Sequence, residues 1–256
     1  MKKDEIKQTD QWHSLQEFTA ARIAIGRVGN SIPLDQSLQL KLAHAHARDA
    51  IYSVLDSDAL MNGLQHLHIP LLKVHSNAES REQYLQRPDL GRQLHEASIQ
   101  TLHVYAAPAD VCIIIADGLS AHAVNSNAIP LIKALVPLFK VMKYKLSPII
   151  LAGQARVALA DPIAFALQAK LSIILIGERP GLSAADSVGA YLTYNPQPGL
   201  TDESRNCVSN IRAQGLTFDK AANKIFYLVQ EAFRLKLSGV NLKDNAGLLM
   251  DKKHYF

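Results

Sequence analysis

The chain has 256 residues, of which 48% are hydrophobic and 20% are charged. This length suffices for one or two domains with a sizeable core, and the composition is near the average of globular proteins, which excludes disordered and fibrous classes. The net charge of +4 comes from scattered basic residues without a long block. This charge pattern disfavours a nucleic-acid-binding protein.

The two cysteines, Cys112 and Cys207, have no second cysteine and no histidine at metal-ligand spacing. We therefore predict no metal site, and so few cysteines favour a reducing, cytoplasmic location. The start of the chain lacks the apolar stretch of a secretory signal. No apolar run approaches the roughly 18–20 residues that span a bilayer, so we expect no membrane partner.

Residues 1–104 are predicted to form a mainly helical N-terminal region. In "LDQSLQLKLAHAHARDAIYSVLD", apolar residues recur at three- and four-residue steps from Leu38 to Tyr52, which predicts a helix with one apolar stripe. The segment "QHLHIPLLKVHS" carries Pro70, so we predict an extended or edge segment. The segment "SREQYLQRPDLGRQLHEASIQTL" predicts two helical pieces that are broken before Pro88.

Residues 105–256 alternate short apolar runs with helical ones. The runs "ADVCIIIADGLSA", "LSPIILAGQARVALAD" and "LSIILIGERPG" predict buried strands, and "AYLTYNP" and "CVSNI" are candidates for two more. The helix "HAVNSNAIPLIKALVPLFKVMK" contains Pro130 and Pro137, which predict a break or kink. After the short helix "PIAFALQAK", the helix "FDKAANKIFYLVQEAFRLKLSG" is predicted to end at Gly239.

This order predicts an α/β fold, in which the helical N-terminal region precedes a Rossmann-like, mostly parallel sheet domain. Ligands of such sheets bind at the carboxyl ends of the strands, where Gly-containing turns follow three strands here. The phosphate-loop and nucleophile-elbow glycine motifs are absent, so we assign no catalytic residue. Asp117-Gly118 and Glu178-Arg179 are each either a simple turn or part of a binding site.

Several longer strings share no common structural cause, among them "RVGNSIPL", "RPDLGRQL", "ADGLSAHAV", "LIGERPGLSAADSVGAYLTY", "PGLTDESRNCVSNIR" and "GLTFDKAANKIFYLVQEAFRLKLSGVNLK". Together they resemble the small subunit, or light chain, of ethanolamine ammonia-lyase, an adenosylcobalamin-dependent enzyme. The resemblance runs from about Arg27 to about Lys243.

The resemblance implies a hetero-oligomeric ammonia-lyase with a division of labour. The large subunit holds ethanolamine, adenosylcobalamin lies between the subunits, and radical deamination yields acetaldehyde and ammonia. Val157 in "QARVALAD", Glu178 in "GERPG" and Cys207 in "RNCVSNI" match the cofactor-binding residues of the family. The family is often housed in a bacterial microcompartment, which implies a location there within the cytoplasm.

Two alternatives stay open at this point. One is a stand-alone nucleotide-binding α/β protein, which the missing glycine motif disfavours. The other is a microcompartment assembly or interaction protein, in which the N-terminal segment acts as an encapsulation signal. That segment has a loosely helical apolar stripe that would serve equally as a packing helix, formed by Ile6, Trp12, Leu15, Phe18 and Ile23.

Overall fold

The computed structural model describes residues 7–8, 10–19 and 21–244. Its strands are β1 (Lys7–Gln8), β2 (Arg27–Val28), β3 (Leu71–His75), β4 (Ala109–Ala116), β5 (Ile149–Gly153), β6 (Ala169–Gly177), β7 (Val188–Tyr194) and β8 (Asn206–Ile211). Its α-helices are α1 (Leu34–Tyr52), α2 (Ser57–Leu64), α3 (Arg81–Gln86), α4 (Glu96–Val104), α5 (Ala121–Val141), α6 (Ala160–Ala166) and α7 (Phe218–Leu235). None of the helices in these ranges is long and apolar enough to cross a membrane.

A six-stranded sheet with the order β3-β5-β4-β6-β7-β8 forms the centre of the molecule. The first four strands in this order are parallel, whereas β7 runs antiparallel to both β6 and β8. The prediction of an α/β fold with a mostly parallel sheet is confirmed, and "AYLTYNP" and "CVSNI" both lie in strands. The finer prediction of a Rossmann-like arrangement stays a prediction.

Two apolar cores lie on opposite faces of the sheet. Residues of α2, α5 and α7 form one core with one side of the strands, and residues of α4 and α6 form the other core with the opposite side. The three central strands are buried over nearly their whole length, because helices cover both of their faces. This double coverage explains their continuous apolar runs.

The segment with Pro70 is an edge strand, as predicted. β3 begins directly after Pro70 and, among the described strands, pairs only with β5. The missing proline N–H therefore removes no ladder hydrogen bond. Residues 1–104 therefore contribute a strand to the sheet as well as α1 to α4. The predicted boundary at residues 104 and 105 falls in the connection from α4 to β4.

Two helix details differ from the predictions. The predicted break or kink in α5 is not a break, since the helix runs on through Pro130 and Pro137. Packing of its fully buried apolar face against the sheet outweighs the roughly 3 kcal/mol that each proline removes. α7 ends at Leu235 and not at Gly239. Lys236 adopts the left-handed conformation that usually selects glycine at this position, with φ of 57°.

The N-terminal segment is not the regular helix that its apolar stripe suggested. A 3₁₀ helix covers His13–Phe18, and none of its residues is buried. Trp12, Phe18 and Ile23 are exposed, whereas Ile6 lies outside the described residues. The described part of the predicted stripe therefore faces away from the core.

Candidate functional site

Glu178, the first predicted site residue, directly follows β6 at the carboxyl edge of the parallel strands. Its backbone N–H donates to the carbonyl of Ser187 at 3.1 Å, which extends the pairing of β6 with β7 by one residue. Glu178 is half-buried, whereas its neighbour Arg179 is exposed. The two charged residues of the turn therefore have different surroundings.

Val157 and Cys207 lie on the same side of the sheet as Glu178. Val157 begins the 3₁₀ turn before α6 and packs against the core beneath that helix. On this side, Ile174 of β6, Tyr191 of β7 and Cys207 of β8 are cross-strand partners and form one row. Since cross-strand partners point to the same face, this row and Val157 share it.

This face is exposed on β8 and partly exposed at Tyr191 of β7, whereas Thr193 on the same face of β7 is buried. On β8, Val208 is buried in the core beneath α7, whereas Cys207 and Ser209 on the other side are exposed. We predicted a site only at the carboxyl edge. Cys207, however, is the second residue of the outermost strand β8 and lies level with Ile174 in the middle of β6. The sheet continues past its last parallel strand, so the candidate site extends from the edge across an open sheet face.

The Glu178 side chain lies over Gly189 on this face. A Cβ on Gly189 would be 3.0 Å from Glu178 Oε1 and 3.1 Å from Tyr191 Cε2. A Cβ would press on both side chains, and a glycine within a strand often marks such a close approach. The backbone N–H of Asn210 donates to Glu178 Oε2 over a long 3.3 Å. A carboxylate has about four acceptor positions, so Glu178 keeps acceptor capacity toward a ligand.

The loop between β6 and β7 is held against α5 and β8. Ser120 Oγ donates to the carbonyl of Ala185 at 3.0 Å, and Asn127 Nδ2 donates to the carbonyl of Asp186 at 2.7 Å. The Asp186 carboxylate also pairs with Arg212 at 2.6 Å. These contacts give the turn that carries Glu178 a defined position.

A buried ion pair ties the Val157 turn to the start of β8. Arg205 Nη1 and Nη2 donate to the two carboxylate oxygens of Asp161, both at 2.8 Å, and each side chain is only 1% exposed. Asp161 lies four residues after Val157, and Arg205 lies two residues before Cys207. The pair therefore sets the spacing of two predicted site segments.

Asp117 has a structural role. Its carboxylate accepts backbone N–H groups from Gly118, Gln154 and Ala155 at 2.7–3.0 Å. The connections after β4 and β5 leave toward opposite faces of the sheet, and such a divergence usually opens a ligand crevice. Because Asp117 bridges the two strand ends there, the geometry supports the simple-turn interpretation of Asp117-Gly118.

Gln154 carries the backbone strain of the turn after β5. Its φ is +51°, whereas Ala155 is not in the left-handed region. Few residues other than glycine, asparagine and aspartate adopt this conformation readily. The two hydrogen bonds that Asp117 accepts from Gln154 and Ala155 hold the turn in this shape.

The titratable groups of the open face influence one another. Burial raises the pKa of the Tyr191 hydroxyl above its ordinary value, and Cys207 and Glu178 raise it further. Although Cys207 is exposed, partial desolvation raises the pKa of its thiol, the Tyr191 hydroxyl lowers it and the Glu178 carboxylate raises it again. Cys207 is therefore a neutral thiol near pH 7.

We expect the two cysteines to react very differently with iodoacetamide. In the native chain at pH 8, only Cys207 should be alkylated, and more slowly than in denaturant, because a raised thiol pKa lowers the thiolate fraction. Cys112 is buried, with burial raising its pKa to about 12, so it should react only on unfolding. Mass spectrometry of the time course measures both rates, with Cys207→Ser as control. Native alkylation of Cys207 as fast as in the unfolded chain would contradict its raised pKa.

Comparison with known proteins identifies the family. The family model described as "Ethanolamine ammonia-lyase light chain (EutC)" matches residues 9–243. The chain belongs to the ethanolamine ammonia-lyase light-chain family. The matched range contains all three predicted site residues and the whole predicted resemblance.

Curated relatives in this family match over nearly their full length. The ethanolamine ammonia-lyase small subunit of Pseudomonas aeruginosa (strain LESB58) is 49% identical over 239 residues, which cover 92% of this chain and 88% of the relative. The small subunit of Pseudomonas fluorescens (strain Pf0-1) is 46% identical over 250 residues, 96% of this chain and 91% of the relative. The name "small subunit" implies a larger partner subunit, and these names are consistent with a lyase.

Sequence analysis missed Gly189, Tyr191 and the Arg205–Asp161 pair. A glycine inside a strand pattern indicates the close approach of another group. The glycine in "SVGAYL" could therefore have pointed to Gly189. Asp161 and Arg205 are 44 positions apart, and nothing in either local segment shows that they pair. Only the tertiary fold brings them together.

Proposed function

We propose that this chain is an ethanolamine ammonia-lyase small subunit that binds adenosylcobalamin together with the large subunit. The observation that carries the proposal is that Glu178, Tyr191 and Cys207 lie together on one sheet face, where Cys207 is exposed and Glu178 and Tyr191 are half-buried. A sheet face with one carboxylate, one hydroxyl and one neutral thiol suits a broad, flat ligand. A second protein would then cover the other side of that ligand.

The residues present fit the corrin ring. A corrin carries amide side arms whose N–H groups need acceptors. A charged carboxylate accepts stronger hydrogen bonds than a neutral side chain does. Glu178 would accept such an amide hydrogen bond, since one of its oxygens has only a 3.3 Å contact with Asn210. Val157 would pack against apolar parts of the ligand. Cys207, as a neutral thiol, would make van der Waals contact and not a bond to cobalt.

The proposal assigns binding and positioning to this chain. When bound, adenosylcobalamin supplies the radical chemistry that deaminates ethanolamine to acetaldehyde and ammonia, and the large subunit holds the substrate. The Arg205–Asp161 pair ties the Val157 turn to the start of the strand that carries Cys207, and Gly189 leaves room for the Glu178 side chain. The alternative of a stand-alone nucleotide-binding protein has less support, because the chain lacks the glycine-rich phosphate-binding motifs.

Substitution of Glu178 tests the cofactor contact. A hydrogen bond to a charged group is worth about 1.5–3 kcal/mol, so Glu178→Ala should weaken cobalamin binding by roughly 10- to 150-fold. Glu178→Gln keeps a neutral acceptor worth about 1 kcal/mol and should weaken binding by roughly 2- to 30-fold. The dissociation constant of cobalamin is measured by absorbance titration of the reconstituted two-subunit complex.

Arg179→Ala is the matched control for this series. Arg179 adjoins Glu178 in sequence but is exposed, so its removal should leave cobalamin affinity within about twofold. Assembly of each variant with the large subunit is checked first by size-exclusion chromatography. Unchanged cobalamin affinity of an assembled Glu178→Ala complex would show that the Glu178 turn does not bind the cofactor.

A further inference from the structure

Exposed apolar side chains are concentrated near the N-terminus. More than half of the large hydrophobic residues that are exposed in the described part of the chain lie between residues 12 and 54, which is a small fraction of its length. Single exposed hydrophobic residues are ordinary, but a contiguous group marks an interaction surface. The members are Trp12, Leu15, Phe18, Ile23, Ile32, Leu34, Leu38, Leu42, Tyr52 and Val54.

The helix α1 is apolar on two sides. Its inner side packs toward α5 through small residues, of which Ala47 and Ala50 are buried. Its outer side carries Leu34, Leu38 and Leu42 at four-residue steps, with exposed fractions of 73%, 55% and 57%. The stripe that predicted an amphipathic helix in the sequence is thus the exposed one. A helix that is apolar on opposite sides normally has a partner on each.

The outer side of α1 adjoins the turn that carries Glu178. Leu42 and residues 181–185 of the loop after Glu178 line the same shallow cavity. Across it, Arg22 Nη2 donates to the carbonyl of Leu182 at 3.2 Å, and the Leu182 side chain is itself exposed. The outer side of α1 therefore reaches, through Leu42, the loop that follows Glu178 at the carboxyl end of the sheet.

We propose that this leucine face, defined as Leu34, Leu38 and Leu42 with Leu182, docks on the large subunit. The partner is inferred from two observations: the relatives are named small subunits, which implies a larger one, and Leu42 and Leu182 of this face meet at the loop that follows Glu178. The inference rests on the proposed function, in which the large subunit covers the cofactor from the opposite side. A protein that covers the loop after Glu178 would also meet Leu42 of this face.

The test places one charge on each of two central leucines. Leu38→Glu and Leu42→Glu should each raise the dissociation constant for purified large subunit by roughly 30-fold or more, because docking would bury an unpaired carboxylate. Since both side chains are exposed in the free chain, its urea unfolding curve should be unchanged. Binding is measured by biolayer interferometry in the presence of cobalamin.

Val141→Glu and Leu235→Glu are matched controls. Both residues are exposed and apolar, and they lie at the far ends of α5 and α7, at the opposite edge of the sheet. They should bind the large subunit like the unsubstituted chain. Normal binding by both Leu38→Glu and Leu42→Glu would overturn the proposal. So would loss of self-association of the free chain without loss of large-subunit binding, because the face would then join two copies of this chain.

The docking and cofactor proposals fail in different ways. If Glu178→Ala weakens cobalamin binding while the leucine variants assemble normally, the cofactor site stands and the docking face is wrong. If the leucine variants fail to assemble while Glu178→Ala binds cobalamin normally, the docking face stands and the cofactor contact is wrong.

Discussion

Replacing Arg205 by methionine should lower the free energy of unfolding of the isolated chain by about 3–5 kcal/mol. The substitution leaves the Asp161 carboxylate, which is 1% exposed, without its bidentate partner. It also removes donors to Thr193 Oγ1 and to the carbonyl of Leu200. Urea denaturation followed by circular dichroism measures the change. A loss below about 1 kcal/mol would mean that the pair is not buried as described.

The double substitution Arg205→Met and Asp161→Leu is the control. Replacing both charges by apolar side chains is often close to neutral, so this variant should be more stable than Arg205→Met alone. If it is no more stable than the single variant, lost packing and not an unpaired charge explains the effect.

The Arg205→Met variant should also depend on pH in a defined direction. Burial already raises the pKa of Asp161 against the opposing effect of Arg205, and removal of Arg205 should raise it further. The folded carboxyl then binds its proton more tightly than the unfolded one, whose pKa is about 3.9. The destabilisation relative to the unsubstituted chain should therefore be largest above the folded-state pKa and shrink as the pH falls through it. A penalty that stays constant from pH 8 down to the unfolded-state pKa of about 3.9 would contradict this assignment.

Gly177→Ala should be the second most damaging change, with an expected loss of about 3 kcal/mol or more. An added Cβ would collide with the carbonyl of Ser120 and lie 2.7 Å from the Asp117 carbonyl oxygen. Overpacking typically costs about 1–3 kcal/mol, and backbone obstacles yield less readily than side chains. Gly177 also accepts the N–H of Leu119 at 3.0 Å and directly precedes Glu178, so its shift should also weaken cobalamin binding.

Gly181→Ala is the matched control in the same loop. A Cβ there would meet only Ala184 backbone atoms, at 3.5 Å and 4.0 Å, which is ordinary contact. The expected change in unfolding free energy is within about 0.5 kcal/mol. Equal stability of Gly177→Ala and Gly181→Ala would show that the approach of β6 to the β4 turn is not as close as described.

The fold class was predictable because a strand that is buried on both faces has a continuous run of apolar residues. Continuous apolar runs predicted β4, β5 and β6, and a proline in "QHLHIPLLKVHS" predicted the edge strand β3. The continuity of α5 through Pro130 and Pro137 was not predictable. Its cause is packing against residues far away in sequence, which local propensity does not contain.

Which side of α1 is buried could not be predicted from the sequence either. Leu38, Leu42, Ala45, Asp49 and Tyr52 were assigned to one apolar stripe, and the helix formed as predicted. The buried side, however, is the one with Ala47 and Ala50. Periodicity shows that a helix has an apolar side, but not whether that side packs on its own domain or on another protein.

The sequence by itself indicated the family, the strands β3 to β8 and the three residues proposed to bind the cofactor, because each depends on local strings. Only the tertiary structure decided that Glu178, Tyr191 and Cys207 share one open sheet face and that Arg205 pairs with Asp161. The physical reason is that strand register and buried charge pairing depend on contacts between segments distant in sequence. A short sequence segment carries much information on its own secondary structure, but little on which distant residues it contacts.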